Sequence, residues 1–426
     1  MKNYEEMSRS VLERIDEYNK EKEKRIKRAK LSLIPLSAVV VLILASFGIW
    51  KSGLSGTHVG LDSESDTTEA TITDSGEPVS KHETPPEVSD ELPQITVPND
   101  RSDGMGFEGL MYYSASELEN GNPWREETAP DTLPVFRNGS YDPTGAGAPV
   151  GLHKQEMEKA LESAARVLGV EISETEADPN TGESDDGNTV NGETVYNIRA
   201  ATSSGTLTVF ANGATLYELP DGYRLPDGYR FTNSDTSDSE AEKVMRYLTQ
   251  HYASFLNFNH PEIVLQGEYT FNGAYVRRYL AYDADADMTE RILNYNFRTA
   301  QFAPDDNGNL MLIRLNDDLC TAEKIGEYPL ISVSRAKEKL LEGKYQTSVP
   351  VAMPGETYIA KVELIYRSGP MEETLLPYYR FYVELQDGDG LNMTMDNGLK
   401  TFGAFYVPAI QDAYISNLST YDGWFN

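Results

Sequence analysis

The sequence predicts an α+β protein carried on one N-terminal transmembrane helix. Three observations predict it. Residues 31–50 form a run of twenty uncharged, mostly apolar residues; an acidic Ser/Thr/Pro-rich stretch follows; and from about residue 150 a helical segment followed by several strand-like runs recurs three times. The expected organisation is a basic amphipathic tail over 1–30, a membrane span over 31–50 and a disordered acidic stalk over 51–104. Beyond these lie two helix-plus-meander units over 105–327 and a third α+β unit over 328–426.

The tail carries Tyr4, Met7, Val11, Ile15 and Tyr18 at spacings of three and four, which puts them on one stripe of a helix. That stripe is a candidate contact for a cytoplasmic partner over residues 4–18, or else a surface lying on lipid headgroups. Next comes KEKEKRIKRAK, residues 20–30, and then the uncharged run LSLIPLSAVVVLILASFGIW. At 1.5 Å per residue this run gives about 30 Å of helix, the thickness of a bilayer's hydrocarbon core. Lysines and arginines concentrated before the run, with only Lys51 close behind it, place the N-terminus in the cytoplasm by the positive-inside rule. The expected localisation is therefore the plasma membrane, single-pass, with the lipid bilayer contacted through residues 31–50 and the C-terminal domain outside the cell. The long preceding region and the absence of an A-x-A site argue against a cleaved signal peptide.

Charge follows the same division. Of the net −31, residues 1–50 contribute +3 (ten Lys/Arg against seven Asp/Glu) and the remainder −34 (27 against 61). An acidic body of this kind excludes a nucleic-acid binder, because a phosphate backbone needs a basic face. The single cysteine, Cys320, cannot form an intramolecular bridge, and five histidines scattered over 426 residues do not suggest a multi-histidine metal site. In residues 52–104 twelve acids face two bases, and long aliphatic and aromatic residues are few. Such a segment buries too little apolar surface to offset the entropy of ordering it, which makes it an extended spacer.

Each unit of the body opens on a helix. The first, over 152–168, places Met157, Leu161, Ala164, Ala165 and Leu168 on one side, and strands VYNIRAAT, GTLTVFAN and ATLYEL follow. The second, over 239–257, carries Val244, Tyr247, Leu248, Tyr252 and Phe255 at helical spacing. After it come the strand-like runs EIVLQGEYTF, AYVRRYLAYDA, RILNYNFRTAQFA and NLMLIRL, with Asp306–Asn309 as the last turn. The third, SVSRAKEKLLEG, is opened by Ser332 or Ser334 and closed by Gly343; AKVELIYR, PYYRFYVEL and GAFYVPAI complete the unit. Strand Tyr378–Leu385 alternates strictly. Tyr379, Phe381, Val383 and Leu385 make one face, and Tyr378, Arg380, Tyr382 and Glu384 the other.

The stretch ISVSRAKEKLLEGKY, then VELIYR, LLPYYRFYVEL and FGAFYVPAI, resembles the repeat of YycH/YycI-type regulatory proteins, which are related to PepSY modules. It covers roughly residues 328–410, and the whole chain looks like single-pass anchored proteins of Gram-positive Clostridia. The resemblance implies an extracytoplasmic regulatory or binding module on one anchor, with no catalytic residues to transfer.

Few side chains suggest chemistry. Asp283, Asp285 and Asp287 form D-x-D-x-D, but an EF-hand loop counted from Asp283 lacks its glycine (Met288) and its glutamate (Asn294), which leaves a solvated acidic turn. Asp178–Asp186 is another oxygen-rich loop that reads as a flexible insertion. The hexapeptide LPDGYR is written twice, at 219–224 and 225–230, as two successive turns, with its Tyr/Arg pairs a weaker candidate for an anionic or sugar ligand. His251 and His260 read as core or surface residues. Asp317, Asp318 and Glu323 near Cys320 would raise a thiol pKa and so oppose reactivity. No catalytic, cofactor-binding or metal-ligating set emerges, and no cofactor is expected.

The strongest candidate is a partner-binding surface of Tyr378, Arg380 and Tyr382, because aromatics and arginine are favoured at protein interfaces; the competing possibility is a second core face. The expected function is that of a non-enzymatic regulatory or sensory protein binding a protein or peptide partner outside the membrane. The alternatives are a cell-surface adhesion or scaffolding module and, lower, a cell-wall hydrolase.

Overall fold

The structure is a computed structural model that describes residues 92–97, 111–113, 118–142, 150–179, 195–269, 275–369, 372–386, 399–417 and 420–423. In chain order the elements are β1 (Met111–Tyr113), β2 (Thr132–Arg137), α1 (Lys154–Leu168), β3 (Ile172–Pro179), β4 (Val195–Thr202), β5 (Thr206–Phe210), β6 (Thr215–Tyr223), α2 (Asp238–His251) and α3 (Ala253–Leu256). There follow β7 (Pro261–Tyr269), β8 (Tyr275–Asp283), α4 (Met288–Phe297), β9 (Thr299–Pro304), β10 (Leu310–Leu315), β11 (Glu323–Pro329) and α5 (Val333–Leu341). The chain ends with β12 (Gln346–Thr347), β13 (Ile359–Tyr366), β14 (Thr374–Leu375), β15 (Pro377–Glu384) and β16 (Lys400–Pro408).

The helices form where caps and apolar stripes coincide. Met157, Leu161, Ala164 and Ala165 are buried along α1, which stops at Gly169 in the left-handed region, φ 68°. Ser237 and Glu240 cap α2 reciprocally. Ser332 accepts from the Arg335 amide at the start of α5.

The strands join into one 13-stranded antiparallel sheet, ordered β13-β15-β16-β1-β7-β8-β9-β10-β6-β5-β4-β3, with β12 paired to β16; β11-β2-β14 form a second, 3-stranded sheet. Along the large sheet the halves meet at β1, which takes three pairs with β16 but only Tyr112↔Tyr269 with β7. In the first half α1, α2 and α3 cover one face, and Met157, Leu207, Met245, Leu248, Tyr279 and Phe302 belong to one core. In the second half both faces are buried. Helices α4 and α5 supply Ile292, Phe297, Ala336 and Leu340 against Leu364, Phe381 and Phe405. On the reverse face Tyr378, Tyr382 and Tyr406 pack with Ile95, Tyr328, Ile410 and Tyr414.

Several expectations are corrected here. The body is not three separate helix-plus-meander α+β units; it is mostly antiparallel sheet, and strands from all three expected units pair edge to edge. Alternation along a strand shows which face is buried but not which strand lies beside it, so the repeat was legible and its closure was not. The single-pass plasma-membrane expectation is also corrected: among the described residues no helix is long and apolar enough to cross a membrane. The 31–50 run on which that expectation rested, the tail over 4–18 and most of the stalk lie outside the described residues. Within the stretch assigned to the stalk, Ile95 and Val97 are core residues. RILNYNFRTAQFA splits into helix and strand, because Asp287 accepts from the Glu290 amide and starts α4 ahead of a stripe of Ile292, Leu293 and Phe297.

Candidate binding site

The surface expected at Tyr378, Arg380 and Tyr382 is an interior face. Tyr378 is fully buried and Tyr382 is 4% exposed, and Arg380 is half-buried with its guanidinium turned onto Glu363. Strict alternation did place the three on one face, but segments distant in sequence cover it: Leu118–Trp124, Leu92–Val97 and the stretch after β16.

Beneath this cover lies an ionic network. Register pairs Glu363 with Arg380 and Lys361 with Tyr382 across β13 and β15. Arg380 Nε donates to Glu363 Oε1 at 2.7 Å, and Tyr382 Oη donates to the same oxygen at 2.9 Å. Lys361 Nζ and Asn120 Nδ2 both lie 3.0 Å from Oε2. Burial pushes the Glu363 carboxyl up, but Arg380 and Lys361 together outweigh it and hold the group below the usual carboxylate range. The network continues to the first half of the sheet. Tyr295 Oη on α4 donates to the Asn120 carbonyl at 3.3 Å, and Gln266 on β7 donates to the same carbonyl at 3.3 Å. With both oxygens of Glu363 engaged, the network joins the halves and presents no free group to a ligand. One signal for it was legible in the sequence: Lys361 and Glu363 share a face of β13, as does Arg380 on the neighbouring strand. Asn120 had none.

The open surface lies around the other side of β13, which ends the sheet and, among the described residues, pairs only with β15. The backbone groups of Leu364 and Tyr366 face this edge, their side chains being buried, and neighbouring side chains meet them. Asn122 Nδ2 donates to the Leu364 carbonyl at 3.0 Å, and the Tyr366 amide donates to Asn296 Oδ1 at 2.9 Å. By the same alternation Val362 directs its N–H and C=O outward, and among the described residues no backbone group pairs with it on that side. There a cleft of about 360 Å³ separates the strand from α5, with Val333 and Lys337 one turn apart on its helix wall, Ile359, Ala360 and Val362 on its strand wall, and Phe381 at its floor. Lys337 is held by Glu356 at 2.8 Å. A strand edge open at Val362 beside a helix, with apolar and charged side chains in the groove, offers main-chain groups of the kind by which sheet edges take up extended peptides.

The remaining candidates have structural roles. Asp283 accepts from the Asn259 and His260 amides, Asp285 from the Asp287 amide, and Asp287 caps α4. Among the described residues no three His, Cys, Asp or Glu side chains converge as a metal site would require. The first LPDGYR copy ends β6 and the second forms the Pro226–Tyr229 turn; their tyrosines flank Tyr247 of α2, with Tyr223 and Tyr247 hydroxyls 3.0 Å apart. His251 is exposed, its ring against Tyr247 at 5.6 Å, and His260 lies exposed in a loop. The Cys320 thiol is pushed up to about 12 by burial and then by Asp317 and Asp318, so it is a poor nucleophile. The loop after Pro179 lies outside the described residues up to Val195.

Comparison with known proteins adds no relative: no family model matches the chain, and no curated protein matches it.

Proposed function

We propose that this chain is a non-catalytic binding module that takes an extended segment of a protein or peptide partner along the outer edge of β13. The observation that carries the reading is the outward Val362 backbone lying unpaired, among the described residues, beside the cleft under α5, whose walls mix Val333, Ile359 and Phe381 with Glu126, Lys337 and Lys361. A partner strand there would gain main-chain hydrogen bonds from β13 and place alternate side chains against Val333, Val362 and Phe381. The chain's net charge of −31 favours partners with basic flanks through long-range attraction. A regulatory role, as the resemblance of residues 328–410 implies, is what such binding would serve.

Replacing Val362 by proline tests the reading, because it removes an outward donor and leaves the ladder to β15 in place. Random-peptide display against the full-length chain should enrich segments with alternating apolar residues, and their affinity should fall roughly tenfold or more in Val362→Pro, the loss of a main-chain contact and the adjoining fit. Enriched peptides that bind the proline variant equally well would refute the edge as the site.

A further inference from the structure

A second peptide-recognition surface is visible because the chain already occupies it. Residues Leu92–Val97, sequence LPQITV, lie extended in a trough between β11 and Ala413–Asn417. The contacts read backbone and side chains alike. The Ile95 amide donates to the Tyr414 carbonyl at 2.7 Å, and the Ile95 carbonyl accepts from the Ser416 amide at 2.9 Å. Asn417 brackets Val97, accepting from its amide at 2.8 Å and donating to its carbonyl at 2.7 Å. Tyr328 Oη donates to the Pro93 carbonyl at 2.8 Å, at a residue with no amide hydrogen to satisfy. Ile95 and Val97 point inward and are 4% exposed, whereas Thr96 between them meets the Ser416 hydroxyl at 2.9 Å. Leu92 lies over Gly326, where an added Cβ would come within 2.5 Å of the leucine Cδ2.

This is the contact set of a ligand. Apolar pockets take positions 92, 95 and 97, main-chain groups fix the register, and an Asn amide reads the backbone whatever the side chain. The attachment is also local. Among the described residues the segment's one ladder contact is the parallel bridge Ile95↔Ile415, the rest being the side-chain and pocket contacts above, so its departure breaks no rung of the 13-stranded sheet. We propose that the trough is a peptide-binding site for an extended Leu-Pro-x-Ile-x-Val segment, held in cis by residues 92–97 and open to the same sequence presented in trans. The cis copy sits at the high effective concentration of a tethered ligand, so a free peptide competes poorly until that copy is disabled. The trough lies away from the β13 edge and owes nothing to Val362, so the two sites stand or fall separately.

The test uses the full-length chain and a fluorescein-labelled synthetic peptide of residues 90–98, followed by anisotropy. The double variant Ile95→Asp/Val97→Asp should bind the peptide roughly tenfold or more tightly than wild type, since the tethered competitor is gone. Adding Asn417→Ala to that variant should reverse the gain. Equal binding by wild type and double variant, or no binding by a double variant that keeps its cooperative thermal unfolding, overturns the proposal. If the double variant does not unfold cooperatively, amide exchange on wild type decides. Exchange at Ile95 and Val97 that is faster than at Phe381 supports a segment that leaves on its own, and exchange only with global unfolding overturns it.

Discussion

The two halves of the large sheet treat charge differently. In the first half each of two ion pairs keeps one exposed member: Arg277, itself 11% exposed, reaches Asp238, which is 80% exposed, and Arg199, half exposed, lies near Glu218. The second half has surface pairs too, such as Lys337–Glu356, but adds buried ones: Glu363 is 2% exposed, and Arg367 and Glu372 are 5% and 7% exposed. Both halves are antiparallel strands with one helix-covered face, and the difference lies in the other face. Over β13, β15 and β16 that face is roofed by segments from distant parts of the chain, so its polar stripe becomes an internal network in which Glu363 is held between Lys361 and Arg380. A buried pair tolerates loss of one member poorly, whereas an exposed pair hardly notices it.

That difference can be broken most sharply at Glu363. Glu363→Ala leaves Lys361 and Arg380 buried without their carboxylate and should destabilise the chain by about 3–5 kcal/mol in urea unfolding. A loss below 1 kcal/mol would mean that water reaches the network.

A contact between the ends of β10 and β13 offers a second, intermediate effect. Asp318 follows β10, and Ser368 follows β13; burial raises the Asp318 carboxyl to about 6, against the opposing pull of Ser368 and Arg314. Because its folded pKa lies above the ordinary 3.8, the folded chain keeps a proton that the unfolded chain releases. Its contribution to stability is therefore greatest below about pH 4, falls as pH rises to about 6 and is constant above that. The fall should amount to at most about 2 kcal/mol, trimmed by the partial exposure of the side chain. Relative to wild type, Asp318→Asn should lack this decline in unfolding free energy measured from pH 4 to 7, and parallel curves would refute the assignment. Smallest is the surface control: Asp238→Ala should cost about 1 kcal/mol or less, and a larger loss would erase the contrast between the halves.

Much of the body was legible in the sequence, for reasons tied to particular residues. Strand-like residue patterns located β4, β8, β10, β13 and β15 nearly to the residue, and in β13 and β15 the side-chain types alternate although both faces are buried. An apolar stripe located α1 and α2, and stripe and cap together α5, although the expected helix over 239–257 is divided at Tyr252 into α2 and α3. Short strands such as β1, β12 and β14 carry too few residues for a period to show, and α4 was hidden because Ile292, Tyr295 and Phe297 favour strands until the Asp287 cap is recognised. Tyr378, Arg380 and Tyr382 were correctly placed on one face, but the cover supplied by Leu118–Trp124 and Leu92–Val97 is a tertiary fact that no local pattern encodes. The open edge escaped notice for the same reason. Which strand ends a sheet depends on pairing, and Val362 looks like any inward valine.

Amide exchange at Val362 in the full-length chain tests the binding edge most directly. An outward N–H with no partner should exchange close to the free-peptide rate while the Glu363 and Phe381 amides stay protected, and a peptide selected for binding should slow it. Protection of Val362 in the absence of any ligand would show that the edge is already occupied and would contradict the account.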